Sequence, residues 1–510
     1  MHNTKKITLS KSRYCRGLQC PKILWLDANK SEVRDDSVMN QAILDTGNKV
    51  GDLAMGYYGA YTEVPYSEKK SAMIAETQRL LLMGTVIKDD CPQIICEASF
   101  NYDGNFCSVD ILRVLKRGVE IIEVKSSTGI KPVYYDDTAF QYYVLTSNGL
   151  NVKKVSIMCI NNEYERKGEL DLHGLFTVHD CTKEIRSMQA DVAANIARLK
   201  EGMAAETEPD TEIGEQCFAP YECVFRTYCW RHIPQNSVFD ISGNGIRFDK
   251  KLELYRRGIV SFGQLLESGE KLNELARLQA ETYVYNQPPH IDRAAISSFI
   301  KTLYYPLYFL DFETFQEAIP SFDGQRPYMQ IPFQYSLHIQ ETLGGPLQHR
   351  EFLAEEGTDP RRELAQRLCT DIPKDACVLA YNMGFEKGRI KELAKLFDDL
   401  SAHLMKIHNN IKDLMKPFQK RSFYSREMGG SYSIKQVLPA LCPEDAELDY
   451  HALDLVHDGG EAMTAYTELP GKTPEERQRI KAALLAYCRL DTLAMVRILE
   501  KLQNWLDHDN

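Results

Sequence analysis

The sequence predicts an α/β protein of two domains joined by a helical connector. Three observations carry this. β-branched apolar runs alternate with amphipathic stretches along most of the chain, the pattern of sheets covered by helices. Three evenly spaced cysteines, Cys217, Cys223 and Cys229, close the first block, and a fourth, Cys20, stands near its start. A proline-containing linker, Asn286 to Asp292, precedes an apolar strand that opens a second block. At 510 residues the chain exceeds what one core supports. The expected boundaries are 1–235, 236–300 and 301–510.

Residues 36–60 and 66–84 show apolar positions three and four apart and read as helical. ICEASFNY, the turn DGN and FCSVDILRVL form a hairpin, with GVEIIEVKSS as a third strand. DDTAFQYYVLTSNG is a helix ending at Gly149, VKKVSIMCIN a fourth strand, and 183–202 a further helix. An acidic loop, AAETEPDTEIGE, leads into the three cysteines. In the connector, two helical stretches around Gly258-Ile259 look like a helix–hairpin–helix pair, which grips phosphate through hairpin amides without reading sequence; a plain packing hairpin is the alternative. In the last block YYPLYFLDFET and VLAYN are strands, and KAALLAYCRLDTLAMVRILEKLQNWL is a long helix.

With 44% hydrophobic and 26% charged residues the composition is that of an ordinary globular protein. No apolar run reaches a membrane-spanning length, and the N-terminus lacks a secretion signal's apolar region. A cytoplasmic location is expected, so the fourteen cysteines stay reduced and clustered ones suggest metal. The net charge of −11 argues weakly against a nucleic-acid partner, although a basic groove can coexist with an acidic total. Lys5-Lys6, Lys69-Lys70, Arg256-Arg257 and Lys416 to Arg421 are the basic patches, each either a solvated face or a phosphate track.

The first candidate site is Asp110, Glu123, Lys125 and Gln141. Residues i and i+2 of a strand share a face, so Glu123 and Lys125 project together while Asp110 meets Glu123 across the strand pair. Two carboxylates and the Val124 carbonyl suit Mg²⁺ or Mn²⁺, with Lys125 positioning a water for attack on a phosphodiester. A surface cross-strand ion pair produces the same pattern.

This arrangement, with Gln141-Tyr142-Tyr143 on the following helix, resembles the PD-(D/E)XK nucleases of the RecB/AddB type. The resemblance implies catalytic roles for Asp110, Glu123, Lys125 and Gln141 and a substrate contact for Tyr143. The iron–sulfur branch of that group, including the CRISPR-associated exonucleases, carries one early cysteine and three late ones, as Cys20, Cys217, Cys223 and Cys229 do here. Structural zinc sites favour pairs two to four residues apart. Spacings of five with a distant fourth suit a [4Fe–4S] cluster better; zinc and buried free thiols remain alternatives, and Cys15 competes with Cys20. One departure stands out: Asn48 occupies the place where these nucleases often put a metal-binding His, which points to an attenuated site.

The second candidate site is Asp311 and Glu313 at a strand end, Glu386 just after a strand, and Tyr487 with Asp491 on one helix face. At about 4 Å and an effective dielectric of about 20, each pair of these charges costs roughly 4 kcal/mol, which two divalent ions would offset while clamping the attacking and leaving oxygens. DxE, N-x-x-F-E and Y-x-x-x-D in this order resemble the Tyr-containing subclass of the DEDD exonucleases (DnaQ-like, ribonuclease-H fold), with Glu386 where Asp is commoner. The likeness implies 3′–5′ exonuclease chemistry, Mg²⁺ or Mn²⁺ on Asp311, Glu313, Glu386 and Asp491, and Tyr487 orienting the attacking water. Asn382, Tyr432 and Lys435 are expected to contact substrate. The whole arrangement resembles a prokaryotic fusion family defined by this C-terminal domain. It implies nuclease chemistry but no known pathway; the function expected is a nuclease acting on nucleic-acid ends, DNA ahead of RNA, in DNA processing, repair or phage defence. A nucleic-acid-binding scaffold with a weakened first site, or an RNA-processing exonuclease, are the rival readings. Oligomeric state is not legible.

Overall fold

The computed structural model describes residues 8–39, 41–83, 92–243, 245–445 and 448–507. The Lys5-Lys6 patch lies outside them. The chain is mixed α/β and divides into two compact units: Met1–His232 with Glu317–Met329, and Ile233–Gln316 with Gln330–Asn510. The stretch expected as a separate connector thus falls within the second unit. Among the described residues no helix is long and apolar enough to cross a membrane.

Unit 1 is built on a sheet of β1 (Leu9–Ser10), β2 (Thr62–Glu63), β3 (Gln93–Tyr102), β4 (Asn105–Leu115), β5 (Gly118–Lys125), β6 (Val152–Ile160) and β7 (Phe176–Asp180), running β2-β3-β4-β5-β6-β7. β3, β4 and β5 form an antiparallel meander. The helix Pro132–Ser147 then carries the chain back so that β6 lies parallel to β5. Strict alternation fails at one place. Ile95, Ala98 and Phe100 of β3 and Val109, Leu112 and Val114 of β4 all reach the same core, so both strands change face together, at Glu97 and Asp110. Glu97 takes a φ of +56° to do so, a conformation uncommon outside glycine.

A second irregularity lies beside it. β4–β5 pairing stops at Ile111–Ile122, and β1 pairs in parallel with β4 at Asn105 and Phe106. Because β3 already holds the other edge of β4, β1 and β5 share one edge and leave a gap at Asp110. Ser10 caps the helix Lys11–Gln19 by accepting from the Arg13 N–H. Tyr14 stacks on Phe140 at 4.8 Å. A Cβ at Gly17 would come within 2.7 Å of a Leu24 methyl, so a larger residue would require the Leu24 and Leu199 side chains to shift.

Unit 2 contains β8 (His290–Ile291), β9 (Leu307–Phe315), β10 (Ile331–Gln340), β11 (Leu347–Leu353), β12 (Cys377–Ala380), β13 (Ile411–Asp413) and β14 (Phe423–Tyr424). Five strands run β11-β10-β9-β12-β13, with β9, β10 and β11 antiparallel and β12 and β13 parallel to β9; β8 pairs with β14. The reading of this block missed β10 and β11, although PFQYSLHIQ alternates with period two. Both faces of β10 are buried. Its polar side bonds to the helix Pro474–Asp507: Gln334 Nε2 donates to the Leu484 carbonyl at 2.7 Å, and Ser336 and His338 each lie 2.7 Å from the Thr492 hydroxyl.

The stretch around Gly258 holds two short helices, Phe248–Arg256 and Phe262–Glu267, rather than one continuous stretch, before Glu274–Val284. Gly258, at φ +78°, ends the first, and the Ser261–Gln264 capping box starts the second. The amides of Gly258, Ile259, Val260 and Ser261 all bond internally. With these amides engaged inside the turn, the packing-hairpin alternative is the one the bonding favours. Residues 183–202 likewise split, at Met188, into Thr182–Ser187 and Gln189–Ala204.

Candidate functional site

In unit 1 the gap on β4 gathers charge. Glu123 and Lys125 share a face, and Lys125 Nζ lies 2.7 Å from Glu123 Oε1. Asp110 turns toward β5 and accepts the Val124 N–H at 2.6 Å. Gln141, fully buried on the covering helix, donates to Glu123 Oε2 at 2.5 Å. Two residues outside the sequence reading join them. Asp137 Oδ2 accepts from Lys125 Nζ at 2.5 Å, and Lys11, the first residue of its helix, places Nζ 2.9 Å from Glu123 Oε1, 3.7 Å from Asp137 and 3.9 Å from Asp110. Asp137 was findable, since it stands four residues before Gln141 on the same helix face. Lys11 was not, because its partner is 112 positions away. Burial opposes ionisation throughout. Lys11 and Lys125 nevertheless hold Glu123 well below the usual carboxylate range, whereas burial and then Glu123 push Asp110 up to about 8. Asn48 is exposed on the helix Gln41–Ala54, and Tyr143 packs on the core and against the Tyr102 ring rather than in this network.

The four cysteines come together. Cys20, between the helices Lys11–Gln19 and Pro21–Asn29, lines one small pocket with Cys217, Cys223 and Cys229. All four are unpaired thiols. The Gln19 side chain ties the two ends, donating to the Gln216 and Tyr221 carbonyls at 2.8 and 2.7 Å. Burial raises the Cys223 thiol to about 11, and its three neighbours add to that. Among the described residues only Asp311, Glu313 and Asp491 have ligand atoms all within 4.8 Å of one another, so no three of these sulfurs do.

In unit 2 that acidic trio is the centre. Asp311 and Glu313 lie within β9, which runs on to Phe315 rather than ending at them as expected, and Asp491 comes from the helix Pro474–Asp507. They line a cavity of about 440 Å³ with Asn382, Glu386, Lys435 and Tyr487. Glu386, at the start of the helix Gly384–Leu396, is buried, and its Oε2 has no hydrogen-bond partner. The turn before it is held by Asp413, whose Oδ1 accepts the Asn382 and Met415 amides at 3.1 Å, with Asn382 at φ +68°. Tyr487, four residues before Asp491 on the same helix, lines the cavity beside it. Lys435 donates to the His457 carbonyl at 2.7 Å and lies 5.3 Å from the Tyr450 and Tyr487 ring centres. Tyr432 contributes its carbonyl to the Tyr381 hydroxyl, not a side chain to the cavity.

Residues 308–433 match DUF2779, a domain of unknown function. No curated protein and no solved structure matches the chain. The DUF2779 segment carries Asp311, Glu313, Asn382, Glu386 and Tyr432, while Lys435, Tyr487 and Asp491 lie beyond it.

Sequence reasoning missed Tyr450, whose hydroxyl donates to Asp491 Oδ1 at 2.5 Å; no motif marks it. Replacing Tyr450 by Phe frees that oxygen and is expected to slow any reaction at this cavity by roughly 10–100-fold, the range for losing a partner that orients a ligand. A kinetic comparison of Tyr450→Phe with the parent checks this; equal rates would remove Tyr450 from the site.

The buried carboxyls titrate high. Glu313 is pushed up to about 8 by burial and then by Asp491, and Glu386 to about 8, chiefly by burial. Burial, then Asp491 and Glu313, hold Asp311 well above its usual value. Asp491 reaches about 6, burial being opposed by Tyr450 and Lys435. The folded state thus binds these protons more tightly than the unfolded chain, where carboxyls ionise near pH 4. The metal-free fold loses stability as pH rises from about 4 to about 8 and regains it on acidification. In chelator, the melting temperature of Asp311→Asn should lie nearest the parent's at about pH 4 and exceed it by about 5 °C at pH 8. An equal or lower value at pH 8 would contradict the assignment.

Proposed function

We propose that the protein is a metal-dependent nuclease acting on nucleic-acid ends, with hydrolysis in the unit 2 cavity. The observation that carries this reading is the convergence of Asp311, Glu313 and Asp491 within 4.8 Å of one another in an accessible cavity. The donor set is all oxygen, as Mg²⁺ and Mn²⁺ prefer, and Glu386 offers a buried oxygen without a partner. Asp311, Glu313 and Asp491 would hold the metal, with Glu386 beside them. Bound there, divalent ions lower the pKa of water and offset charge on phosphoryl oxygens.

The side chains supply the rest. Tyr487, beside Asp491, orients a water toward the scissile phosphorus. Lys435, fixed by the His457 carbonyl, gives the phosphate a cation. Tyr450 keeps Asp491 from turning away. The strand order β11-β10-β9-β12-β13 supports a ribonuclease-H-like unit, and the β3-β4-β5 meander with its helix and parallel β6 supports a PD-(D/E)XK-like one.

A second reading is favoured for unit 1. Both Glu123 oxygens are engaged, one by two ammonium groups and the other by Gln141. As it stands this set does not fit a divalent ion, and we assign unit 1 to strand binding rather than cleavage. The four-thiol pocket supports a structural [4Fe–4S] cluster over zinc. Structural zinc usually takes cysteine pairs two to four residues apart, whereas spacings of five with a distant fourth suit a cluster.

The test uses 5′-labelled single-stranded DNA and RNA with Mg²⁺ or Mn²⁺. A ladder shortening from the 3′ end, absent in chelator, is expected, with DNA degraded faster than RNA. No cleavage of either polymer, or shortening from the 5′ end alone, would reject the proposal.

A further inference from the structure

Lys11 sits where no sequence motif placed a functional residue. β1 and β5 share one edge of β4 and separate at Asp110. The residue leaving β1 is Lys11, and its side chain enters that gap. Its backbone is fixed by the Ser10 cap, by the β1–β4 pairing and by the close packing at Gly17, so the ammonium group is delivered there by the fold. It bonds Glu123 and lies within 4 Å of Asp110 and Asp137.

The ammonium group stands among the three carboxylates where a divalent ion would have to settle to ligate them, and its bond to Glu123 Oε1 engages an oxygen that such an ion would need. Two buried oxygens, Asp137 Oδ1 and Gln141 Oε1, have no hydrogen-bond partner, so the pocket retains unused acceptors beside Lys11.

We infer that Lys11 is an internal cation that takes the place of a divalent ion in the unit 1 carboxylate pocket and decides that this pocket binds no metal. Lys125 bridges Glu123 and Asp137 and stays in either state. Lys11 alone has to leave for the carboxylates to ligate an ion. This inference stands apart from the nuclease reading of unit 2, and its test is arranged so that either can fail without the other.

The full chain carrying Asp311→Asn and Asp491→Asn, which removes two of the three unit 2 ligands, is titrated with Mn²⁺ and free ion is followed by electron paramagnetic resonance. No Mn²⁺ site that depends on Glu123 is expected in this protein. Adding Lys11→Met should create one site, with affinity raised roughly tenfold or more over background, and Glu123→Gln should abolish it. Lys11→Arg, which keeps the charge, should create none. A Glu123-dependent Mn²⁺ site with Lys11 in place would overturn the inference, and needs no variant at Lys11 to be seen. So would a folded Lys11→Met protein, judged by circular dichroism, that gains no site.

Discussion

Replacing Asp311 and Asp491 together by Asn is expected to reduce end-dependent hydrolysis by about 10³-fold or more. The argument is electrostatic. Amides keep the size and a carbonyl oxygen but lose the charge that holds a divalent ion. Removing the ion forfeits several kcal/mol of stabilisation of the developing charge, and about 4 kcal/mol is 10³-fold in rate. The same substitutions relieve repulsion in the trio. The variant should therefore lose activity while melting at a higher temperature than the parent at pH 8 in chelator. Single-turnover degradation of a labelled strand, paired with a melting curve, reads both. A rate within tenfold of the parent would dismiss these carboxylates as the hydrolytic centre. This combination, rate down and stability up, separates a catalytic loss from unfolding, because function and stability oppose each other where like charges are held together.

The second large effect concerns Cys20. It is the one member of the thiol pocket contributed by the N-terminal part of unit 1; the others follow almost two hundred residues later. If the proposed cluster is bound, a shared metal group would make the four a crosslink. By chain-entropy reasoning, closing a loop of roughly 200 residues contributes about 5 kcal/mol. Cys20→Ala should therefore lose the bound iron, with its visible absorbance at about 400 nm, and lower the melting temperature of unit 1 by about 10 °C or more. The helix Lys11–Gln19 ends at this cysteine, so Lys11 should loosen with it. Anaerobic purification, iron analysis and calorimetry test the prediction. Colourless parent protein with one zinc would replace the cluster assignment, and an unchanged melting temperature would refute the crosslink.

Much of the site was legible because its residues act through short-range rules. Glu123 and Lys125 share a face because strands have period two, and Tyr487 and Asp491 because helices place i and i+4 together. The acidic pair Asp311 and Glu313 follows from the same strand rule. What escaped was long-range or masked. Strand β10 was overlooked although its alternation is a strand signal; what local pattern does not reveal is that both its faces are buried, the polar one against partners supplied by the helix Pro474–Asp507. Tyr450 escaped because its role is a single hydrogen bond across 41 positions.

By itself the sequence indicated the α/β class, the pairs Glu123 with Lys125, Asp311 with Glu313 and Tyr487 with Asp491, and the three evenly spaced thiols. Each of these is fixed by residue type and by short-range spacing, whereas Cys20 was chosen over Cys15 by family resemblance. Only the tertiary structure decided which groups share charge. It brought Asp491 to Asp311 and Glu313, and it turned Lys11 into the gap beside Asp110. It also closed the Gly258 hairpin on its own amides. The physical reason is that Coulomb energy and hydrogen bonding depend on distance in space, and a chain of this length sets those distances through strand pairing and helix packing between segments more than a hundred residues apart.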